Sequence, residues 1–442
     1  DRERHQRIRR PSEALRQCAT RRTEGGDGYE HRDAEPAPGE PKTHGGNLAQ
    51  NPTGGDRESE AGFRSLYTAR PIWFETREMK TVVVFGATGY TGRLVVDALL
   101  AQGVHDIVLG GRSEERLREL SKRHSGLPWR VADALDPATL GPLVAGSHVV
   151  ISTAGPFTLY GEPVVRAALA AGAHFLDTTG EQGYMATILE RYHGAACDKR
   201  LAVVNSQAFE FALGCCAAAL LAEWDPALHT IDVFNRVYGF GATRGTQQSA
   251  LRQAVADALI RRDGRLVRRG LSPLPEWVTW PASGKREPAA PFPGGEALHL
   301  VRTHPEVRNV TTNLAMPARV ALPLMLGWSA RPLLRVAAKA GLLEPLRRKI
   351  QAGTEGPSGE SRDRSGFKVL ARGRSDVATR GVLVKGHDAY GTTGVIAALG
   401  AKMLCEGDPT AVGVISTDQA FGAGRFSKAL QPFGVTVSRH EM

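Results

Sequence analysis

Thr81-Val-Val-Val-Phe85 is a run of β-branched and aromatic residues that ends in Gly86-Ala-Thr88-Gly89-Tyr90-Thr91-Gly92. Three glycines at that spacing, where a strand gives way to a helix, are suited to holding a diphosphate against main-chain N–H groups. Gly86 permits the tight turn, Gly89 lets the backbone approach the anion, and Gly92 lets the following helix lie close to the strand. The helix beginning near residue 90 then supplies free N–H donors and the positive end of its dipole. The spacing is GxxGxxG rather than GxGxxG, so its weight comes from its setting between an apolar strand and a helix closed by Gly103.

Twenty residues beyond Gly92 a second apolar run ends in Leu109-Gly-Gly-Arg112-Ser113. A dinucleotide site built for a free ribose 2′-hydroxyl would place Asp or Glu here. Arg112, with the Ser113 hydroxyl, suits a 2′-phosphate instead, so NADP(H) is expected over NAD(H). Asp133, just after the third strand, is placed either to meet the adenine amino group or to cap a turn. Ala154, Gly155, Pro156 and Phe157 follow the fourth strand, beside the point where strand order reverses and a nicotinamide would rest.

Hydride transfer chiefly needs geometry and a donor that stabilises developing negative charge. The candidate donors are Tyr160, Tyr238 and Tyr390, with Arg244 and Thr246 near the second. Glu181 could orient a ribose, relay a proton or cap the following helix, and Asp388 could bind or cap the helix beginning near Gly391. No nucleophile–base pair and no metal-ligand spacing stands out, so no metal is expected.

These residues need a scaffold of alternating strands and helices. From Met79 onward apolar runs of strand length alternate with amphipathic stretches, the pattern of βαβ units. Strands are expected near 80–85, 106–110, 129–132, 148–153, 174–177 and 201–205. Helices are expected near 90–102, 114–123, 137–144, 161–171 and 184–197. The fold class is therefore α/β, a Rossmann-type doubly wound parallel sheet of six strands, followed by an α+β second domain. After Asn205 we expect a helix at about 212–222, a strand at 229–238, a helix at 246–262, a charged turn at 261–269, a helix at 391–405 and a strand near 434–438.

Length and composition agree with two folded units and a tail. The 442 residues are 42% hydrophobic and 23% charged, which excludes a fibrous or wholly disordered chain. Residues 1–78 carry 14 basic and 14 acidic residues, so the net charge of +10 lies wholly in the remainder. Of the 56 basic residues 45 are Arg, a skew that GC-rich coding produces without a binding role, and no nucleic-acid partner is expected. Five scattered cysteines form no CxxC pair and point to a reducing, cytoplasmic setting. Residues 1–78 are poor in apolar residues and read as a disordered tail, translated upstream of a start at Met79.

Together the motifs form a set. The glycine loop, Gly111-Arg112-Ser113, Gly155-Pro-Phe-Thr-Leu-Tyr160-Gly161 and Phe175-Leu-Asp177-Thr-Thr-Gly180-Glu181 resemble the saccharopine dehydrogenase-like oxidoreductases. Farther on, Gly356-Pro-Ser-Gly-Glu-Ser-Arg362 and Gly386-His-Asp388-Ala-Tyr390-Gly-Thr-Thr393 resemble the branch that holds trans-acting enoyl reductases. The resemblance covers about 79–440. It implies an NADP-type cofactor and, in that branch, reduction of a carbon–carbon double bond in a polyketide or lipid intermediate carried by a partner synthase. The chain departs from the branch at Ala208-Phe-Glu210, where Gly-Phe-Asp and a later Pro-Ser-Asp are usual. The alternatives are an amino-acid dehydrogenase of the saccharopine type, which would need more than Arg244 to grip carboxylates, and a redox-sensing module without turnover.

The expected domains are 79–206 for NADP binding, 207–385 for substrate and dimerisation, and 386–442 packing back on the core, with a homodimer as the assembly. The expected substrate is a hydrophobic small or carrier-linked molecule. The basic, apolar-interleaved stretch 319–349 reads as a helix suited to an anionic membrane surface or an acidic carrier, or as a capping helix with a solvated face.

Overall fold

The structure is a computed structural model that describes residues 80–442, apart from 240, 271–274, 282 and 354. The tail 1–78 lies outside the described residues.

Six strands build most of a parallel sheet: β1 (Val82–Phe85), β2 (Ile107–Gly111), β3 (Trp129–Val131), β4 (Val149–Ser152), β5 (His174–Asp177) and β6 (Ala202–Val204). Between them run α1 (Tyr90–Ala101), α2 (Glu114–Arg123), α3 (Leu140–Val144), α4 (Phe157–Ala170) and α5 (Gln182–Asp198). All four residues of β1 are buried, Val82 and Val84 in one cluster and Val83 and Phe85 in another. Successive residues face opposite sides of the sheet, so both faces must be covered by helices, and an unbroken apolar run results.

The chain then leaves this sheet. Helix α6 (Phe209–Trp224) is followed by a nine-stranded mixed sheet from β7 (Thr230–Tyr238), β8 (Leu259–Arg262), β9 (Arg265–Arg268), β10 (Glu276–Thr279), β11 (Arg286–Pro291), β12 (Asn309–Ala315), β13 (Gly366–Arg374), β14 (Thr379–His387) and a last strand described below. Its helices are α7 (Arg244–Val255), α8 (Glu296–His299), α9 (Ala318–Ser329), α10 (Arg331–Lys339), α11 (Glu344–Ala352) and α12 (Gly359–Asp363).

The C-terminal segment serves both sheets. Helix α13 (Ala389–Glu406) lies on α1, so close that a Cβ at Gly394 would stand 2.8 Å from the Leu94 carbonyl oxygen. β15 (Gly413–Ile415) then pairs in parallel with β6, α14 (Thr417–Phe421) and α15 (Ala423–Ala429) follow, and β16 (Thr436–Glu441) pairs antiparallel with β14. The parallel order is β15-β6-β5-β4-β1-β2-β3. One apolar cluster runs from Val82 and Val95 through α6 and α13 to Ile231, Phe367 and Val384, so the two sheets share a core.

Three expectations need correction. The parallel sheet has seven strands, not six, because Gly413–Ile415, far downstream of β6, complete its edge. The helix drawn at 246–262 stops at Val255, and the charged turn at 261–269 belongs to the hairpin β8–β9. There Arg261 donates to the Gly264 carbonyl at 2.8 Å and Arg269 to the Asn313 side chain at 3.0 Å, which lets two arginines serve as structural donors. The single basic helix at 319–349 is three helices, α9 to α11, broken around Ala330 and Gly341.

Candidate functional site

The glycine loop closes on itself and on β2. Gly86 has φ +83° and its N–H donates to the Gly110 carbonyl at 2.9 Å. A Cβ at Gly86 would stand 2.9 Å from Thr153 Oγ1, and one at Gly92 would stand 2.2 Å from the Gly86 carbonyl oxygen. Only glycine fits either place, and the consequence is that α1 begins directly against the end of β1. No side chain caps the start of α1 and its first turn holds no acidic residue. Its free N–H groups thus fit a diphosphate, with Thr88, Gly89 and Thr91 around it.

Arg112 stands at the end of β2, exposed, its guanidinium 6.0 Å from the centre of the Tyr160 ring. Among the described residues it pairs with no carboxylate, which leaves it available to a phosphate. Ser113 uses its hydroxyl oxygen as the cap of α2, accepting the Arg116 N–H at 3.4 Å. Asp133 accepts the Leu135 N–H at 2.9 Å and so caps its own turn.

Two further arginines, Arg93 and Arg116, which the sequence motifs do not single out, come to the same rim. Both donate to the Thr88 carbonyl, at 2.7 and 3.0 Å, and both bond Glu355. With Glu119, Leu120 and Arg123 they line a cavity of about 330 Å³ beside the glycine loop. Arg116 lies in the first turn of α2, just beyond Arg112, a closeness in sequence that could have drawn attention to it. Glu355, far away in the chain, had no such signal.

At the end of β4, Ala154, Gly155 and Pro156 lead into α4 at Phe157. Glu181 does not cap the helix that follows it. Its carboxylate instead accepts the N–H groups of Phe157 and Thr158, both at 2.9 Å, and the Ser249 hydroxyl at 2.7 Å. The start of α4 is thereby held, and tied to α7. Asp177, at the end of β5, takes Asn205 Nδ2 at 2.7 Å and the Ser206 N–H at 2.8 Å, and burial pushes its carboxyl up to about 6.

The three candidate tyrosines occupy separate places. Tyr160 packs partly buried beneath Arg112. Tyr238 is 39% exposed and covers Gly366, where a Cβ would stand 2.3 Å from its hydroxyl oxygen. Tyr390 is buried, and its hydroxyl accepts the Thr243 N–H at 2.8 Å and bonds Thr246 Oγ1 at 3.0 Å. It also meets Tyr90 edge to face, with ring centres 5.3 Å apart, while Tyr90 donates to the Pro357 carbonyl at 2.7 Å. Tyr90 and Tyr390 therefore fasten the second sheet's loops to the glycine loop. Asp388 caps α13 through the Gly391 N–H at 3.0 Å and pairs with Arg362 at 3.4 Å.

Between these loops, the first turn of α6 carries Glu210. Its carboxylate would stand 3.8 Å from a Cβ at Gly180, beside the end of β5, and Gln253 of α7 reaches the same glycine at 3.7 Å. Burial raises the Glu210 carboxyl to about 7. Asn235 lies on the face of β7 turned to α6, since its neighbour Val233 meets Gly214. It is 1% exposed and both its amide atoms lack partners, as does Gln253 Oε1. Buried polar atoms left without partners are costly. Among the described residues no cluster of His, Cys, Asp and Glu is arranged to hold a metal.

Residues 82–204 match the family described as saccharopine dehydrogenase NADP binding domain. The matched residues hold β1 to β6 of the parallel sheet. NADP(H) is accordingly the cofactor of this chain. Proteins named trans-acting enoyl reductase from Mycobacterium tuberculosis (strain ATCC 25618 / H37Rv) and Mycobacterium ulcerans (strain Agy99) are each 37% identical to it, over 29% of this chain and 32% of theirs. The match thus spans about a third of the length of these curated relatives. Saccharopine dehydrogenase (L-Glu forming) of Saccharomyces cerevisiae shares the fold: TM-score 0.57 and 13% identity, covering 82% of this chain and all of that one. No helix among the described residues is long and apolar enough to cross a membrane.

Proposed function

We propose that this chain is an NADPH-dependent reductase of a hydrophobic, carrier- or lipid-linked substrate whose double bond is conjugated to a carbonyl. The observation that carries the reading is Glu210, a carboxyl in the first turn of α6 without a hydrogen-bond partner among the described side chains, 3.8 Å from the Cβ position of Gly180 beside the end of β5, where burial pushes it up to about 7.

When bound, NADPH supplies the hydride. The chain's part is to place and protonate. The free N–H groups at the start of α1 hold the diphosphate and Arg112 the 2′-phosphate. Glu181 fixes the loop 154–158 against which the nicotinamide would lie. Glu210 holds a proton for the carbon next to the substrate carbonyl, and Gln253, which reaches the same glycine, offers its amide group to polar atoms of the substrate. Arg244 stands 4.0 Å from Glu355, which leaves little support for the grip on substrate carboxylates that an amino-acid dehydrogenase needs.

The test is oxidation of NADPH, followed by absorbance, with crotonyl and longer 2-enoyl thioesters as probes. Turnover that rises with acyl length and falls at least ~100-fold in Glu210→Gln is expected for loss of a proton donor. Unchanged turnover in Glu210→Gln would remove it from that role.

A further inference from the structure

Helices α10 and α11 form a hairpin, and each packs on α7. Outward they leave an unusual set of side chains in water: Leu333 is 74% exposed, Val336 65%, Leu342 in the connecting turn 70%, and Leu346 47%. Leu333 and Val336 are three residues apart, so they share one face of α10. Single exposed aliphatic residues need no explanation, but four on one hairpin do.

The charges around them are of one sign. Residues 319–352 hold seven Lys and Arg and a single acid, Glu344. Glu344 is shared by Arg347 and Arg348, at 3.4 and 3.8 Å. Arg335 turns inward to Asp257 beside α7. Lys339 and Lys349 meet no carboxylate among the described residues, and both are exposed next to the aliphatic set.

We propose that the α10–α11 hairpin docks the protein on an anionic lipid surface, with Leu333, Val336, Leu342 and Leu346 entering the acyl boundary and Lys339 and Lys349 at the headgroups. The arrangement of apolar tips and flanking cations is the one an interfacial helix needs. A second copy of the chain fits poorly, because a twofold contact through this face would bring the cations of both hairpins together. The proposal stands apart from the reaction assigned to the site. It gains a use from it, since α7, which carries Ser249 and Gln253 on the site, also packs against the hairpin, so a lipid-borne substrate would arrive one helix away.

The full chain is sedimented with vesicles of phosphatidylcholine alone and of phosphatidylcholine with about a third phosphatidylglycerol. Binding to the anionic vesicles at least roughly tenfold tighter, and weakened by salt, is expected. Lys339→Glu with Lys349→Glu should lower it about tenfold or more, and Leu333→Ser with Leu342→Ser by a similar factor, while NADPH titration of each variant shows that the parallel-sheet domain is intact. Equal binding to both vesicles, or no binding to either, overturns the proposal. So does binding that survives both double substitutions, a dimer that the leucine substitutions dissolve without any lipid binding, or capture only by an acidic carrier protein.

Discussion

The Glu181 carboxylate accepts the Phe157 N–H at 2.9 Å, across the gap between the ends of β5 and β4. The same carboxylate takes Thr158 and Ser249, so one buried side chain ties two loops of the parallel sheet to a helix of the second. Glu181→Ala would leave the donors at the start of α4 without partners, each costing about 1–3 kcal/mol. Thermal denaturation should show a clear fall in Tm and NADPH titration a weakened Kd, with Glu181→Gln intermediate in both. An alanine variant with wild-type stability would contradict this role.

Arg112, at the end of β2, pairs with no carboxylate among the described residues. Arg112→Ala should raise the Kd for NADPH by about 10- to 100-fold, the effect of a lost charge-assisted bond to phosphate, and leave that for NADH unchanged. A parallel loss for both nucleotides would mean that Arg112 supports the fold rather than reading the 2′-phosphate.

Gly92 has no room for a methyl group, with the Gly86 carbonyl oxygen 2.2 Å from where its Cβ would lie. Gly92→Ala should therefore push α1 off β1, abolish measurable NADPH binding and lower Tm. Gly103, with nothing within 4 Å of its Cβ position, provides the contrast: Gly103→Ala strains only its positive φ and should bind NADPH normally.

What could be read from the sequence follows the range of the interactions. The glycine loop and the first six strands are local patterns, and Gly86, Gly89, Gly92 and Arg112 lie together at the ends of β1 and β2 as their spacing implies. β15 was not legible because three residues, Gly413–Ile415, carry no period, and only the neighbouring β6 makes them a strand. The hairpin β8–β9 was hidden by its arginines, which look solvent-seeking until their carbonyl acceptors are seen. Glu355 and Asn235 were beyond reach for the same reason: what surrounds each of them comes from elements far away in the chain.

Glu296 is fully buried, accepts the Thr312 hydroxyl at 2.8 Å, and is pushed up to about 7 by burial. Its ordinary value is 4.5, so between these values the folded chain binds the extra proton. Stability from this group is therefore present at low pH and is lost as pH rises from about 4.5 through 7. Glu296→Gln, always neutral, should match the wild type near pH 5 and exceed it in Tm near pH 8. A variant less stable than wild type at pH 8 would contradict the buried neutral state.

A cofactor site built for NADPH underlies every function assigned to this chain, and titration of the wild type with NADPH and with NADH, read by nicotinamide fluorescence, tests it most directly. NADPH should bind at micromolar levels and NADH at least about tenfold more weakly, the discrimination a single phosphate–arginine contact supplies. Equal affinity for the two nucleotides, or no binding of NADPH at millimolar levels, would contradict it.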